Sequence, residues 1–158
     1  MGGIKLFIVM IAEFEMGHLA TIHHQRAIKQ LVFGLEKLYQ TGQILLEPLP
    51  ETDIDPGNPE NKCPDLILQD NVRSTVPIVI EIATQRGWKT DFNKLRHLMD
   101  GTEYGIEEGF VLNFEKNEWH KYSKAQGVVE DAPAWSEVLG LDLGAMMRPV
   151  DVSRASEN

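Results

Sequence analysis

Cysteine is almost absent from this chain. Cys63 stands alone, so no internal disulfide can form and no zinc site can be built on several thiolates. That usage suits a reducing compartment, and a cytoplasmic location is expected. A long hydrophobic run is also missing. The apolar start from Leu6 to Ala12 is roughly seven residues long, against the ~20 that a helix needs to cross a bilayer. No small-residue cleavage pattern follows it, so a signal peptide is not expected and the stretch reads as a first strand or a helix lead-in. There is no glycine-rich phosphate loop, internal repeat or low-complexity tract, which argues against P-loop nucleotide chemistry and solenoid architectures. Positive charge is scarce as well: 15 Lys and Arg face 24 Asp and Glu, for a formal net charge of −9. That is the wrong sign for tight non-specific attachment to nucleic acid, so any polyanionic partner must meet a local basic patch.

What is present describes one ordinary domain. The 158 residues are 42% hydrophobic and 25% charged, enough to bury a packed core. A single domain over 1–158 is expected, with 1–12 as a lead-in and 150–158 as a frayed tail. Between His18 and Tyr39, Ile28, Leu31, Val32, Leu35, Leu38 and Tyr39 recur at spacings of three and four, one face of an amphipathic helix that Gly42 can end. Ile44 to Glu47 reads as a short strand. Five prolines between Pro48 and Pro64 mark an acidic loop. Asp65 to Gln69 and Ile78 to Ala83 read as strands, the second apolar on both sides and therefore central. Thr90 is a candidate N-cap for a helix with Phe92, Leu95 and Met99 on its buried stripe, ending near Gly101. Gly109 to Phe114 and Glu118 to Tyr122 form a hairpin. A closing helix is expected within Trp135 to Met147. The order predicts an α/β domain, a mixed sheet flanked by helices.

The chemistry concentrates in Pro64 to Lys94, PDLILQDNVRSTVPIVIEIATQRGWKTDFNK. Asp65 opens one apolar run and Glu81 interrupts the next, where an isolated buried carboxylate would cost several kcal/mol by order of magnitude. Carboxylates so placed are normally paired, hydrogen-bonded or metal-bound. Two of them on neighbouring strands, with Lys89 and Lys94 downstream, make a candidate divalent-cation site for Mg2+ or Mn2+. Asp65 alone is equally well a turn residue, and Lys94 alone a solvated lysine. Gln85, Arg86 and Lys89 are most simply polar loop groups, with phosphate contact as the functional alternative. His18, His23 and His24 read as polar helix residues, because His18 and His23 are five apart and lie on different faces. Trp88, Trp119 and Trp135 read first as packing residues and second as base-stacking ones.

Pro64-Asp65, a strand, Glu81 inside the next strand and a following helix together resemble the core of the PD-(D/E)XK nuclease superfamily, and more narrowly the Uma2 family. Asp91 and Lys94 match that family's aspartate and lysine on the next helix. His24-Gln25 is similar to its entry to the first helix, and Val138 to Leu143 to its closing segment. The likeness spans roughly residues 13 to 147. It implies a restriction-endonuclease-like fold, Asp65 and Glu81 as ligands of Mg2+ or Mn2+, and Lys94 as a catalytic group beside the water. It also implies DNA, held in a local basic cleft near Gln85, Arg86 and Lys89, as a partner. The superfamily lysine would fall at position 83, where this chain has Ala83. Residues 81, 83 and 85 point the same way on a strand, so Ala83 is expected to leave a hole that Lys94 fills, with its ammonium within roughly 4 Å of Glu81 or Asp65. The alternative is an inactive nuclease-fold scaffold that binds partners or forms homo-oligomers, most simply a dimer.

Overall fold

The computed structural model describes residues 2–58 and 63–147, with the side chains of the first helix from Thr21 onward. The expected tail at 150–158 and the His18 side chain lie outside the described residues. Helix α1 runs Gly2–Gln40, so the apolar lead-in continues into the predicted helix without a break. Ala27, Ile28, Leu31 and Leu35 are its buried stripe. It ends where predicted: Gly42 takes a positive φ of 75°, and the Gly42 and Gln43 amides turn back to the Tyr39 and Leu38 carbonyls. No helix among the described residues is long and apolar enough to cross a membrane.

Six strands form one sheet in chain order: β1 Glu47–Pro50, β2 Leu66–Asp70, β3 Thr75–Ala83, β4 Glu108–Asn113, β5 Glu118–Ser123 and β6 Gly127–Val129. All neighbours are antiparallel except β3 and β4, which are parallel and joined by helix α2, Trp88–Gly101. A parallel pair requires such a crossover. β3 lies inside the sheet, as its two-sided apolarity predicts. Ile78, Ile80 and Ile82 pack with Leu66, Leu68, Phe110 and α1 on one face. Val79 and Ala83 pack with Ile67, Val111, Phe92, Leu95 and Met99 of α2 on the other. The α/β class, a mixed sheet with helices, therefore holds. At Gly109 the second helix comes so close to the sheet that an added Cβ would fall 2.6 Å from Met99 Sδ.

Four local expectations need correction. The strand expected at Ile44 to Glu47 begins only at Glu47 and runs through Pro48 to Pro50, because β1 is an edge strand and needs no amide on its outer side. The strand expected from Ile78 begins three residues earlier, at Thr75, and takes in Pro77 beside the register shift between Leu68 and Asp70 on β2, the kind of irregularity that accommodates a missing N–H. Thr90 is not the cap of α2. The helix starts three residues earlier, after Gly87, whose amide donates to Thr84 Oγ1 at 3.1 Å.

The closing helix is absent as well. Trp135–Ser136 and Leu141–Asp142 form a two-stranded ribbon, β7 and β8, followed by a single 3-10 turn over Leu143–Met146. A buried carboxylate explains the substitution. Glu108 on β4 and Lys121 on β5 pair at 2.7 Å with side chains 4% and 3% exposed. Glu108 also accepts from Ser136 Oγ at 2.6 Å and from the Glu137 and Val138 amides at 3.0 and 3.2 Å. Lys121 donates to the Trp135 carbonyl at 2.7 Å. These bonds tie the start of the segment to the sheet, and after a single turn, closed by the Gly140 amide on the Ser136 carbonyl, Gly140 takes a positive φ of 66° and the chain leaves the helical path. Lys121→Met, which strands Glu108 without its counter-charge, is expected to cost about 3 kcal/mol in urea unfolding, with much of it recovered when Glu108→Gln is added. Equal stability of Lys121→Met and the parent would remove this pair from the account.

Candidate functional site

The site forms where β2 stops before β3 does. Their ladder ends at the pair Leu66 and Ile80, so the Ile82 amide lies beyond the last backbone partner. Asp65 supplies the missing acceptor: its Oδ2 takes the Ile82 N–H at 2.7 Å. Carrying the register two residues further sets Pro64 against Ile82, and proline has no N–H to donate. N–H and C=O of one strand residue point the same way, so the Ile82 carbonyl faces this end of β2 without a ladder donor. The Pro-Asp dipeptide thus leaves an oxygen and a carboxylate side by side.

His24 reaches the same spot from α1, with Nε2 3.2 Å from Asp65 Oδ2 and the two side chains 27% and 19% exposed. One residue on, Gln25 Nε2 donates to Glu51 Oε1 at 2.9 Å, and the Glu51 amide donates to the Asp65 carbonyl at 2.9 Å. His24 is the polar helix residue expected, and the structure gives it Asp65 as a partner. The signal that pointed to it was the His-Gln pair at the helix entry, not metal-ligand spacing. His23 instead lies against Phe114, with ring centroids 6.3 Å apart.

Strand alternation turns Glu81 toward α2, with Val79 and Ala83. There it is half-buried against the Asp65 carboxylate. Burial, the Asp65 charge, a hydrogen bond with Asp65 and the more distant Asp91 push the Glu81 carboxyl up to about 9, against a smaller opposite effect from the Asp65 backbone. Glu81, Asp91 and Lys94 line one cavity of about 580 Å³ together with Cys63 and His97. Burial, followed by the charges of Asp53, Glu51, Asp65 and Glu81, also raises the Cys63 thiol.

The structure brings Asp65 and Glu81 together and places Lys94 on the wall of the cavity that Glu81 lines. The Lys94 ion pair is not found: among the described residues the ion pairs are His24–Asp65 and Lys121–Glu108. Nor does Ala83 leave a hole, because it is 3% exposed within the core beneath α2. Gln85 is engaged by Asn113 Nδ2, a buried amide on the neighbouring strand whose Oδ1 has no partner among the described residues. Arg86 is exposed in the turn before α2. Lys89 Nζ lies 5.6 Å from the Trp88 ring, on the far flank of the helix. Among the described residues no group of three His, Cys, Asp or Glu side chains is arranged to hold a metal ion. No protein-family model matches the chain, and no curated protein matches it.

A raised carboxyl makes metal-free stability depend on pH. With Glu81 at about 9 when folded and near 4.5 otherwise, the folded protein holds one proton more across that window. Its contribution is therefore complete below about 4.5 and is lost as pH climbs toward about 9. Glu81→Gln is expected to match the parent at low pH and to exceed it at pH ~8.5 by on the order of a few kcal/mol in urea unfolding. A difference between the two proteins that does not change with pH would contradict the raised carboxyl.

Proposed function

We propose that this chain is a nuclease-like domain of restriction-endonuclease-like fold that hydrolyses nucleic-acid phosphodiester bonds with a divalent cation held by Asp65 and Glu81. The observation that carries the reading is the meeting of these two carboxyls at the end of β2. Burial and mutual repulsion make Glu81 costly to ionise there without a cation. The donors fit Mg2+ or Mn2+: both carboxylates and the Ile82 carbonyl are hard oxygens, and an ion that keeps several waters does not need a third acidic side chain. When bound, such a cation supplies an acidified water and positive charge beside a phosphoryl oxygen.

The chain's own groups have distinct tasks in this reading. The Ile82 amide fixes one Asp65 oxygen, and His24 holds the same oxygen from α1. Lys94 extends from α2 over the cavity, where it is placed to meet a phosphate and the attacking water once substrate enters. Arg86, exposed in the turn before α2, is a candidate for a further phosphate contact, whereas Lys89 lies on the far flank of that helix; DNA is the proposed partner. A cytoplasmic location agrees with this reading.

The second reading is a nuclease-fold scaffold without turnover, working through a partner or as a homodimer. One observation favours it: among the described residues no ammonium stands within ion-pair distance of Asp65 or Glu81, and Ala83 fills the position where a lysine would be expected. Calorimetry with Mn2+ and a cleavage assay on DNA separate the two. The parent is expected to bind Mn2+, with at least tenfold weaker binding in Asp65→Asn, roughly the loss seen when a supporting group of a metal site is removed. Lys94→Ala is expected to keep Mn2+ affinity and lose about 10²-fold or more in cleavage. Mn2+ binding without cleavage supports the scaffold, and no Mn2+ binding by the parent refutes the cation site.

A further inference from the structure

Helix α2 divides its side of the sheet into two cavities. The carboxyl cavity lies on one flank. On the other, a space of about 520 Å³ is walled by Trp88, Phe92, His120 and Val128, with Lys89 and Asn93 at its margin. No lining residue is common to both. This volume falls within the usual span of small-ligand sites, and Trp88, Phe92, Trp119 and His120 give it an aromatic side.

The aromatic wall is ordered by ring contacts. Trp88 and His120 stack with centroids 3.6 Å apart and planes 3° apart, and Phe92 meets His120 edge-on at 6.2 Å. His120 Nε2 is buried and has no hydrogen-bond partner among the described residues. Burial lowers the pKa of this histidine despite nearby Glu118, so the ring is neutral and its open nitrogen donates or accepts according to tautomer. A cationic margin follows α2. Lys89 Nζ lies 5.6 Å from the Trp88 centroid, and two turns further on the Arg96 guanidinium lies 5.1 Å from that of Tyr122. Two cations beside aromatic faces, on a chain of net charge −9, favour an anion locally. Glu130 in the same cavity and Asp100 on the Tyr122 hydroxyl limit that attraction to a compact anion.

We propose that this cavity binds an unpaired nucleobase carrying a phosphate. The base lies against Trp88, Phe92 and His120, its polar edge meets His120 Nε2, and its phosphate meets Lys89, while Arg96, which does not line the cavity, attracts a strand that continues along α2. Base faces stack on aromatic rings irrespective of sequence, whereas a paired base inside a duplex cannot enter. The same chemistry is offered by a free nucleotide and by a single strand. Binding here does not depend on the carboxyl pair or on a cation.

The test is fluorescence anisotropy in EDTA with a fluorescein-labelled oligo-dA of 12 nucleotides, competed by AMP and by a 12-base-pair duplex. Oligo-dA is expected to bind, with competition by AMP and little by duplex. Trp88→Ala is expected to weaken binding roughly 10- to 100-fold. Because Trp88→Ala removes packing, the surface variant Lys89→Glu with Arg96→Glu provides an independent arm. It is expected to weaken binding and to flatten its salt dependence by roughly two in slope. AMP as strong as oligo-dA identifies a nucleotide site, and much tighter oligo-dA identifies a strand site; both support the pocket. It is overturned if neither ligand binds at millimolar concentration, if duplex competes as well as single strand, or if Lys89→Glu with Arg96→Glu binds like the parent. Loss of Mn2+ binding at the carboxyl pair would leave this result unchanged, so the two sites can fail separately.

Discussion

The site depends on a backbone amide that has no backbone partner. β3 outruns β2, and the Ile82 N–H is left facing the residues before Leu66. A buried amide without an acceptor is costly, and Asp65 relieves it with one carboxylate oxygen. That contact fixes more than the sheet end. The same oxygen faces His24 on α1, the Asp65 carbonyl takes the Glu51 amide after β1, and the carboxylate presses on Glu81. Four elements of the chain are tied together at one aspartate.

Glu81 stands at the opposite end of the energy scale. Asp65 gains a strong donor, whereas Glu81 is brought toward a like charge in a half-buried place and answers by holding its proton. Such an arrangement is poor as structural packing, because an apolar residue at 81 would serve β3 better. The contrast with Glu108 makes the point. That carboxylate is deeper in the sheet but has Lys121, Ser136 and two amides around it, and it anchors the closing ribbon. One buried acid is fully satisfied and structural. The other has no counter-charge among the described residues, and that is why it is read as a cation ligand.

Much of this was legible from residues alone. The stripe of Ile28, Leu31 and Leu35, the two-sided apolarity of Ile78 to Ala83 and the Phe92, Leu95, Met99 spacing each follow from one element's periodicity, and each is found as expected. Asp65 and Glu81 were legible because a charge breaking an apolar run is a local anomaly. What escaped depends on contacts distant in sequence. Trp135 to Met147 carries apolar residues at helical spacing, but Glu108 anchors its first turn to the sheet and Gly140 ends that turn. His24 looks like any polar helix residue until α1 is laid across the end of β2. Lys94 was placed on the correct flank of α2, yet the length of a lysine side chain does not say whether it reaches a carboxylate, and here His24 takes that position beside Asp65. The space at Ala83 was inferred from strand parity, which says which face a residue occupies and not how tightly the opposing helix packs on it.

The most direct measurement is a crystal of the protein soaked in Mn2+ at alkaline pH, with anomalous scattering used to place the ion. The account predicts a peak within about 2.6 Å of both an Asp65 and a Glu81 carboxylate oxygen, next to the Ile82 carbonyl. Ordered Mn2+ elsewhere on the molecule with none between those two carboxylates would contradict it.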